Sequence, residues 1–238
     1  MDPILTTRVH SPAGIIRQTP PPKLKPFKFD VKWILFEDAD ILIINKPSGL
    51  LSVPGRGQDK HLSLLTLLNE QDPTTEIRIV HRLDMDTSGL MVLAKTPDAH
   101  RNLSRQFQDR QTQKRYEAVC TGRLEVPFGV CKLPIRCDWV NRPLQMVDFL
   151  YGKPCETQWK ILQQRGNHCL VELTPITGRS HQLRLHMKML GHPILGDNLY
   201  SDPTTLLASE RLKLHAKSLG FYHPTTQKWL NFCSPSNF

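Results

Sequence analysis

The sequence predicts an α+β chain built on a mostly antiparallel β-sheet with a few flanking helices. Short β-rich runs occur in neighbouring pairs joined by tight-turn residues, at 33–36 with 41–44 and at 158–163 with 168–173. Three other stretches, near 61–70, 96–108 and 181–190, carry apolar residues at helical spacing. At 238 residues without a long repeat or low-complexity block, the chain can bury one large core or two small lobes.

Taken in order, residues 1–30 read as an arm. Pro3, Pro12, Pro20, Pro21, Pro22 and Pro26 deny it helix and ladder hydrogen bonds, and Arg8, Arg17, Lys23, Lys25 and Lys28 make it basic. It is expected to be a flexible extension. Trp33 to Phe36 and Ile41 to Ile44 form a strand pair across the turn Glu37-Asp38-Ala39-Asp40, leading into Lys46-Pro47-Ser48-Gly49. Pro54-Gly55-Arg56-Gly57 is a loop by composition, and the leucines from Leu62 to Leu68 mark a helix ended by Pro73.

The apolar run Ile77 to Val80 then delivers His81, Arg82 and Asp84 into a loop closed by Thr87, Ser88 and Gly89. A loop at a strand end can hold side chains rigidly over a cleft, although an Asp before Thr-Ser-Gly also suits a turn or helix cap. Leu90 to Leu93 resumes the core. Thr96 and Pro97 give a cap and a first helical residue, and the helix is expected to reach about Gln108 with Leu103 and Phe107 inward. On that helix Arg101 and Arg105 share a face, a basic stripe placed to meet phosphate or merely to be solvated.

Lys114 to Val119 is a strand, and residues 123–156, rich in Pro, Gly and charge, form an irregular crossing with short strands. Within it, Trp139 and Arg142 have the character of an RNA-stacking pair or of ordinary buried packing. A hairpin around Arg165-Gly166-Asn167 follows. Thr177-Gly178-Arg179 leaves a strand, Ser180 is the expected cap, and Leu183, Met187 and Leu190 give the next helix a buried face, with Arg184 and Lys188 on another and Gly191 as its stop. The tail supplies two strands, Leu212 to Tyr222 and Trp229 to Phe232.

A formal charge of +9 points to a polyanionic partner, with nucleic acid the economical choice. The six cysteines contain no C-x-x-C pair, so reduced thiols in the cytoplasm are expected, and no zinc ribbon is offered. His181 and His186 lie five residues apart, about 140° around a helix, and would not converge on one metal ion. No secretion signal or membrane-spanning run is visible.

His81-Arg82-Leu83-Asp84 followed by Thr87-Ser88-Gly89-Leu90 resembles the HRLDxxTSGL signature of the RluA-type pseudouridine synthases. Residues 34–55 are similar to the family's first motif, and residues 174–200 to its TGRxHQ[IL]RxHxxxxGxPIxGDxxY block. The likeness runs from about residue 33 to the C-terminus with three motifs in the right order. It implies a pseudouridine synthase fold over residues 31–238, a central mixed, mostly antiparallel sheet with a catalytic cleft; the arm at 1–30 is expected to be too short and too proline-rich to be the separate S4 domain that many relatives carry.

The resemblance also implies roles. Asp84 is the catalytic carboxylate, Arg179 its ion-pair partner, and Arg82 the side chain that fills the space of an extruded uridine. Tyr116 and Leu183 would sandwich the base, with Lys46 supporting the floor. Arg101, Arg105 and Arg184 are candidates for RNA backbone contact. Pseudouridine formation needs neither cofactor nor metal. The expected partner is RNA, as stem-loops of 23S ribosomal RNA, the tRNA anticodon loop, or both, bound by a monomer. Two other classes compete: a phosphodiesterase with a metal at Asp84 and Asp86, and a non-catalytic RNA-binding protein.

Overall fold

The computed structural model describes residues 27–55 and 60–238. Residues 1–26 of the expected arm, and Arg56 and Gly57 of the glycine-bearing loop, lie outside the described residues. Where the description begins, Phe27 and Phe29 set their rings edge-on to Trp33, at centroid distances of 6.3 and 5.7 Å, and pack on the core.

A 3-10 turn, Val31–Trp33, precedes β1 (Ile34–Glu37) and β2 (Ile41–Lys46). Asp38 makes the turn between them, its carboxylate accepting from the Asp40 and Ile41 N–H groups. Helix α1 (Leu64–Gln71) opens with a capping box between Ser63 and Thr66. The run before the Asp84 loop pairs only over β3 (Arg78–Ile79). Strand β4 (Ser88–Ala94) begins two residues earlier than the turn chemistry of Ser88 and Gly89 suggested. Helix α2 (Pro97–Gln108) has the expected cap, with Thr96 accepting from Ala99 N–H.

Strands β5 (Gln113–Thr121), β6 (Phe128–Cys131), β7 (Ile135–Cys137) and β8 (Gln145–Val147) follow, then the hairpin β9 (Thr157–Arg165) and β10 (His168–Pro175). Helix α3 (Gln182–Met189) and the short α4 (Pro203–Leu207) precede β11 (Leu214–Tyr222) and β12 (Trp229–Cys233). Ten strands form one sheet with the path β1-β2-β4-β11-β5-β10-β9-β6, while β12 pairs with β11, β3 pairs with β4, and β7 and β8 make a separate hairpin. Within the large sheet β4 and β11 are parallel and every other pair is antiparallel.

That parallel pair is the seam of the molecule. His215 lies beside Ser88 and Ala216 beside Gly89. Gly89 has φ +113°, and a Cβ there would sit 2.4 Å from the Ala216 carbonyl oxygen, so only glycine lets the two backbones meet. On one side of the seam, β2 and β4 are buried on both faces, against α1 through Leu42, Ile44, Met91 and Leu93, and against α2 through Ile41, Ile43, Leu90 and Val92. On the other, β10 alternates buried and partly exposed residues and turns Cys169, Val171 and Leu173 toward α3. Tyr116 packs against the cores of both sides.

Candidate active site

Along one edge, β4 pairs with β11 at its start and with β3 at its end. The strand therefore forks, and residues 81–87 fill the fork. The Val92 N–H between the two pairings is taken by His81 Nε2 at 3.1 Å, so a side chain replaces the missing strand. Accepting that bond requires a neutral imidazole. Burial, with the charge of Lys114, pushes the His81 pKa down to about 3. The ring also stacks on Phe107 of α2, centroids 4.4 Å apart.

The segment after β2 holds the loop from below. Ser52 Oγ donates to the Leu83 carbonyl at 2.7 Å and accepts from the Leu83 N–H. Gly49 N–H and Lys46 Nζ both donate to the Met85 carbonyl, and Ser48 Oγ donates to that of Asp86. Lys46 is fully buried, with its remaining bonds to the Pro47 and Leu50 carbonyls at 2.8 and 2.7 Å. Burial pushes its pKa down to about 7, opposed by Asp86 and Asp84. Three carbonyl acceptors match the three N–H donors that only the ammonium form carries, so these bonds favour the charged form against burial. The backbone on both sides of Asp84 is thus fixed, and its half-buried carboxylate projects into an open cleft of about 1170 Å³.

Across the cleft stands α3. Arg184, 2% exposed, bonds the Asp197 carboxylate bidentately at 2.8 and 2.6 Å and donates to Asn198 Oδ1 at 3.0 Å. Its remaining nitrogen, Nη1, lies 3.9 Å from Asp84 Oδ2. Burial disfavours the guanidinium, but Asp197, then Asp84 and Asp86, outweigh it and raise its pKa. Asn198 Nδ2 donates to Asp86 Oδ2 at 3.1 Å, so the α3 side and the Asp84 loop also meet through a second pair.

His181 faces the other carboxylate oxygen, with Nε2 3.9 Å from Asp84 Oδ1. Its Nδ1 lies 2.8 Å from the Tyr200 hydroxyl, which already accepts from Gln145 N–H at 2.8 Å. In the arrangement that uses the Tyr200 hydroxyl hydrogen, Tyr200 donates to Nδ1 and the imidazole N–H sits on Nε2, on the side of Asp84. Burial lowers the His181 pKa, against the pull of Asp84. His181 also has φ +54°, an uncommon conformation for a residue with a Cβ, at the residue preceding α3.

Asp84, Arg82, Tyr116, Leu183, Arg184 and Arg179 line this one cleft, and Lys46 lies beneath it. Arg82 is exposed, one residue from Leu83. Burial and the nearby Asp84 raise the Tyr116 pKa, so the phenol keeps its proton. Three expectations are corrected. Arg179 is exposed and makes no ion pair with Asp84; Arg184 occupies that place, because α3 begins at Gln182, and the Gln182 side chain, which accepts from Arg179 N–H, binds the turn. Arg184 is consequently buried and unavailable to RNA backbone. Ser180 does not cap α3; His181 stands at that position without a side-chain cap bond. Arg101 and Arg105 lie on the outer face of α2, away from the cleft wall, with Arg101 paired to Asp98.

Besides the buried Arg184, the Lys and Arg side chains that line the cleft among the described residues are Lys60, Arg82, Arg110, Lys114, Arg142 and Arg179. Sequence reasoning gave no role to Asp197, Asn198 or Tyr200, although Asp197 and Tyr200 stand in the G-D-x-x-Y end of the motif block. Thr87, a turn residue by sequence, lies along the cleft with its hydroxyl buried and without a hydrogen-bond partner. His186 and His192 have separate bonding partners, Thr157 and the Leu133 carbonyl for the first and the Thr121 carbonyl for the second. Among the described residues no group of three or more His, Cys, Asp or Glu side chains is placed to hold a metal ion.

The family model described as RNA pseudouridylate synthase matches residues 40–189. The dual-specificity RNA pseudouridine synthase RluA of Vibrio parahaemolyticus is 52% identical over 202 residues, covering 83% of this chain and 80% of that protein. The protein of the same name from Escherichia coli is 46% identical over 206 residues, covering 86% and 93%. Among solved structures, human RNA pseudouridylate synthase domain containing 1 superposes with a TM-score of 0.72 at 27% identity, covering 91% of this chain and 86% of that one. Human RNA pseudouridylate synthase domain containing 4 gives 0.67 at 30% identity, covering 86% and 88%.

Proposed function

Since the chain belongs to the RNA pseudouridylate synthase family and is an isomerase that acts on RNA, we propose that Asp84 is its catalytic carboxylate. The observation that carries this assignment is the half-buried Asp84 facing the Arg184 guanidinium at 3.9 Å in a cleft large enough for a nucleotide. In the reaction the N1–C1′ bond of a uridine breaks, the base turns, and C5 bonds to C1′. The C5 proton leaves and N1 gains one, so no electrons are exchanged and no group is donated.

Whether Asp84 attacks C1′ or removes a proton from C2′, it must be ionised. Arg184, fixed by Asp197, keeps a guanidinium charge beside the carboxylate without swinging away. Tyr116 and Leu183 form walls between which a uracil ring stacks. The phenol of Tyr116 serves as a hydrogen-bond donor, because a group held protonated is a poor base.

A uridine in a stem-loop must leave its stack to reach Asp84. Arg82, exposed and permanently charged, is placed to occupy the vacancy. The phosphates meet Arg110, Lys114 and Arg179 on the rim, in place of Arg101 and Arg105. The relatives' name, dual-specificity RNA pseudouridine synthase, supports two RNA classes, which we take to be stem-loops of 23S ribosomal RNA and the tRNA anticodon loop. A cytoplasmic setting fits six free cysteines, and we take the protein to act as a monomer; among the described residues no helix is long and apolar enough to cross a membrane. The test is carbodiimide-dependent primer extension on ribosomal RNA and tRNA after incubation with wild type and with Asp84→Asn. New stops with wild type alone are expected; identical patterns would end the assignment.

A further inference from the structure

The hairpin β7–β8 hangs over the mouth of the cleft. Its tip, residues 138–144, places Arg142 and Pro143 on the cleft wall, and the Arg142 guanidinium lies 3.4 Å from the centre of the Trp139 ring. Both side chains are exposed, Trp139 to 68%, and neither Arg142 nor Trp139 packs in any of the cores. Among the described residues Arg142 makes no ion pair.

Yet the tip is held in one shape. The Asp138 carboxylate accepts from the Asn141 N–H and from Asn141 Nδ2, the Asp138 N–H donates to the Leu144 carbonyl, and the Leu144 N–H to that of Asn141. At its root, Gln145 N–H donates to the Tyr200 hydroxyl, the group that orients His181 toward Asp84. The tip and the Asp84 site are therefore connected by two hydrogen bonds.

An exposed tryptophan gains little from folding, whereas a rigid aromatic face carrying a guanidinium is what an unpaired base in an RNA loop stacks on. The flat cation adds charge attraction to phosphate, which suits it to RNA beside a cleft whose rim is already basic. We propose that Trp139 and Arg142 form a platform for one unpaired nucleobase flanking the target uridine, fixing the RNA loop while the uridine enters the cleft. This inference rests on the proposed function and supplies its second contact with substrate.

The experiment uses the full chain and an RNA stem-loop with a uridine in its loop, together with probes in which each loop nucleotide in turn is abasic. Binding is read at equilibrium, so the comparison does not depend on turnover. Trp139→Ala is expected to weaken binding about 5- to 150-fold, the usual range for one base stacked on one aromatic, while Trp139→Phe, which keeps an aromatic face, loses far less. An abasic site at one flanking position should cost wild type the same factor and cost Trp139→Ala nothing more. Equal losses in both proteins at every abasic position, or a Trp139→Ala protein that binds the intact stem-loop as wild type does, would overturn the platform and leave the tip to a protein contact. Absence of pseudouridine after wild-type incubation would strike the catalytic assignment instead, and is measured separately.

Discussion

On α2, Arg101 and Arg105 lie four residues apart on a face turned to solvent, with Arg101 paired to Asp98 one turn away. On α3, Arg184 and Lys188 have the same spacing, but Arg184 is buried in the cleft wall and fastened by Asp197 and Asn198. One pair is free to move and screened by water; the other has a cation fixed beside a carboxylate where the dielectric is low. Helix α2 reaches the site by an apolar contact, Phe107 on His81, whereas α3 reaches it by charge. What a helical arginine contributes is set by its burial and its second partner more than by its spacing on the helix.

The contrast can be broken from either side. Asp84→Asn removes the group toward which α3 directs its cation, and isomerisation should fall by about a thousandfold or more, equivalent to about 4 kcal/mol of barrier. The melting temperature should change little. Detectable turnover near wild type would leave the α3 cation without a catalytic purpose. Arg184→Met comes next: it leaves Asp197 buried and unpaired, so a stability loss on the order of 3–5 kcal/mol is expected, along with reduced turnover. Denaturant melts and single-turnover rates measured on the folded fraction separate the two effects.

Arg82→Ala sharpens the difference between a buried and an exposed cation at one site. It should lower turnover more on a stem-loop than on an already open strand, because only the stem-loop has a stack to be replaced. Equal losses on both substrates would refute the wedge. On the α2 side, His81 must stay neutral to accept from Val92. Its pKa is lowered to about 3 in the fold and is ordinary when unfolded, so between pH 6.5 and 3 the unfolded chain binds the extra proton. Stability should decline as pH falls through that window, and His81→Gln should flatten the decline. The smallest effect belongs to Arg101→Ala combined with Arg105→Ala. Stability within about 0.5 kcal/mol of wild type is expected, with turnover unchanged on a stem-loop; a large loss of RNA binding would restore α2 as a phosphate contact.

Local signals explain how much of the architecture was legible. Thr96 and Pro97 start α2 where a cap followed by proline should, and Gly191 stops α3 with its N–H on the Lys188 carbonyl while His192 bonds that of Met187. The hairpin at Gly166 has the two-residue turn that its composition favours. Asp202 and Pro203 gave the same start signal for α4, which went unread. Ser88 and Gly89 misled because the glycine serves a close approach between strands and not a turn. Arg179 misled in a related way: in the motif it is the arginine nearest the strand end, but the turn at 178–181 aims it outward, and the next arginine along the helix points in.

By itself the sequence determined most of the longer strands and the three longer helices, the loop that carries Asp84 and the family, since each depends on neighbouring residues or on motifs in fixed order. Only the tertiary structure decided which arginine faces Asp84, which groups flank the two ring nitrogens of His181, and which cations line the cleft. Those properties arise where β4 and β11 join chain segments more than a hundred residues apart. Burial and partner geometry at such a junction are set by packing across the seam, which no local stretch of chain contains.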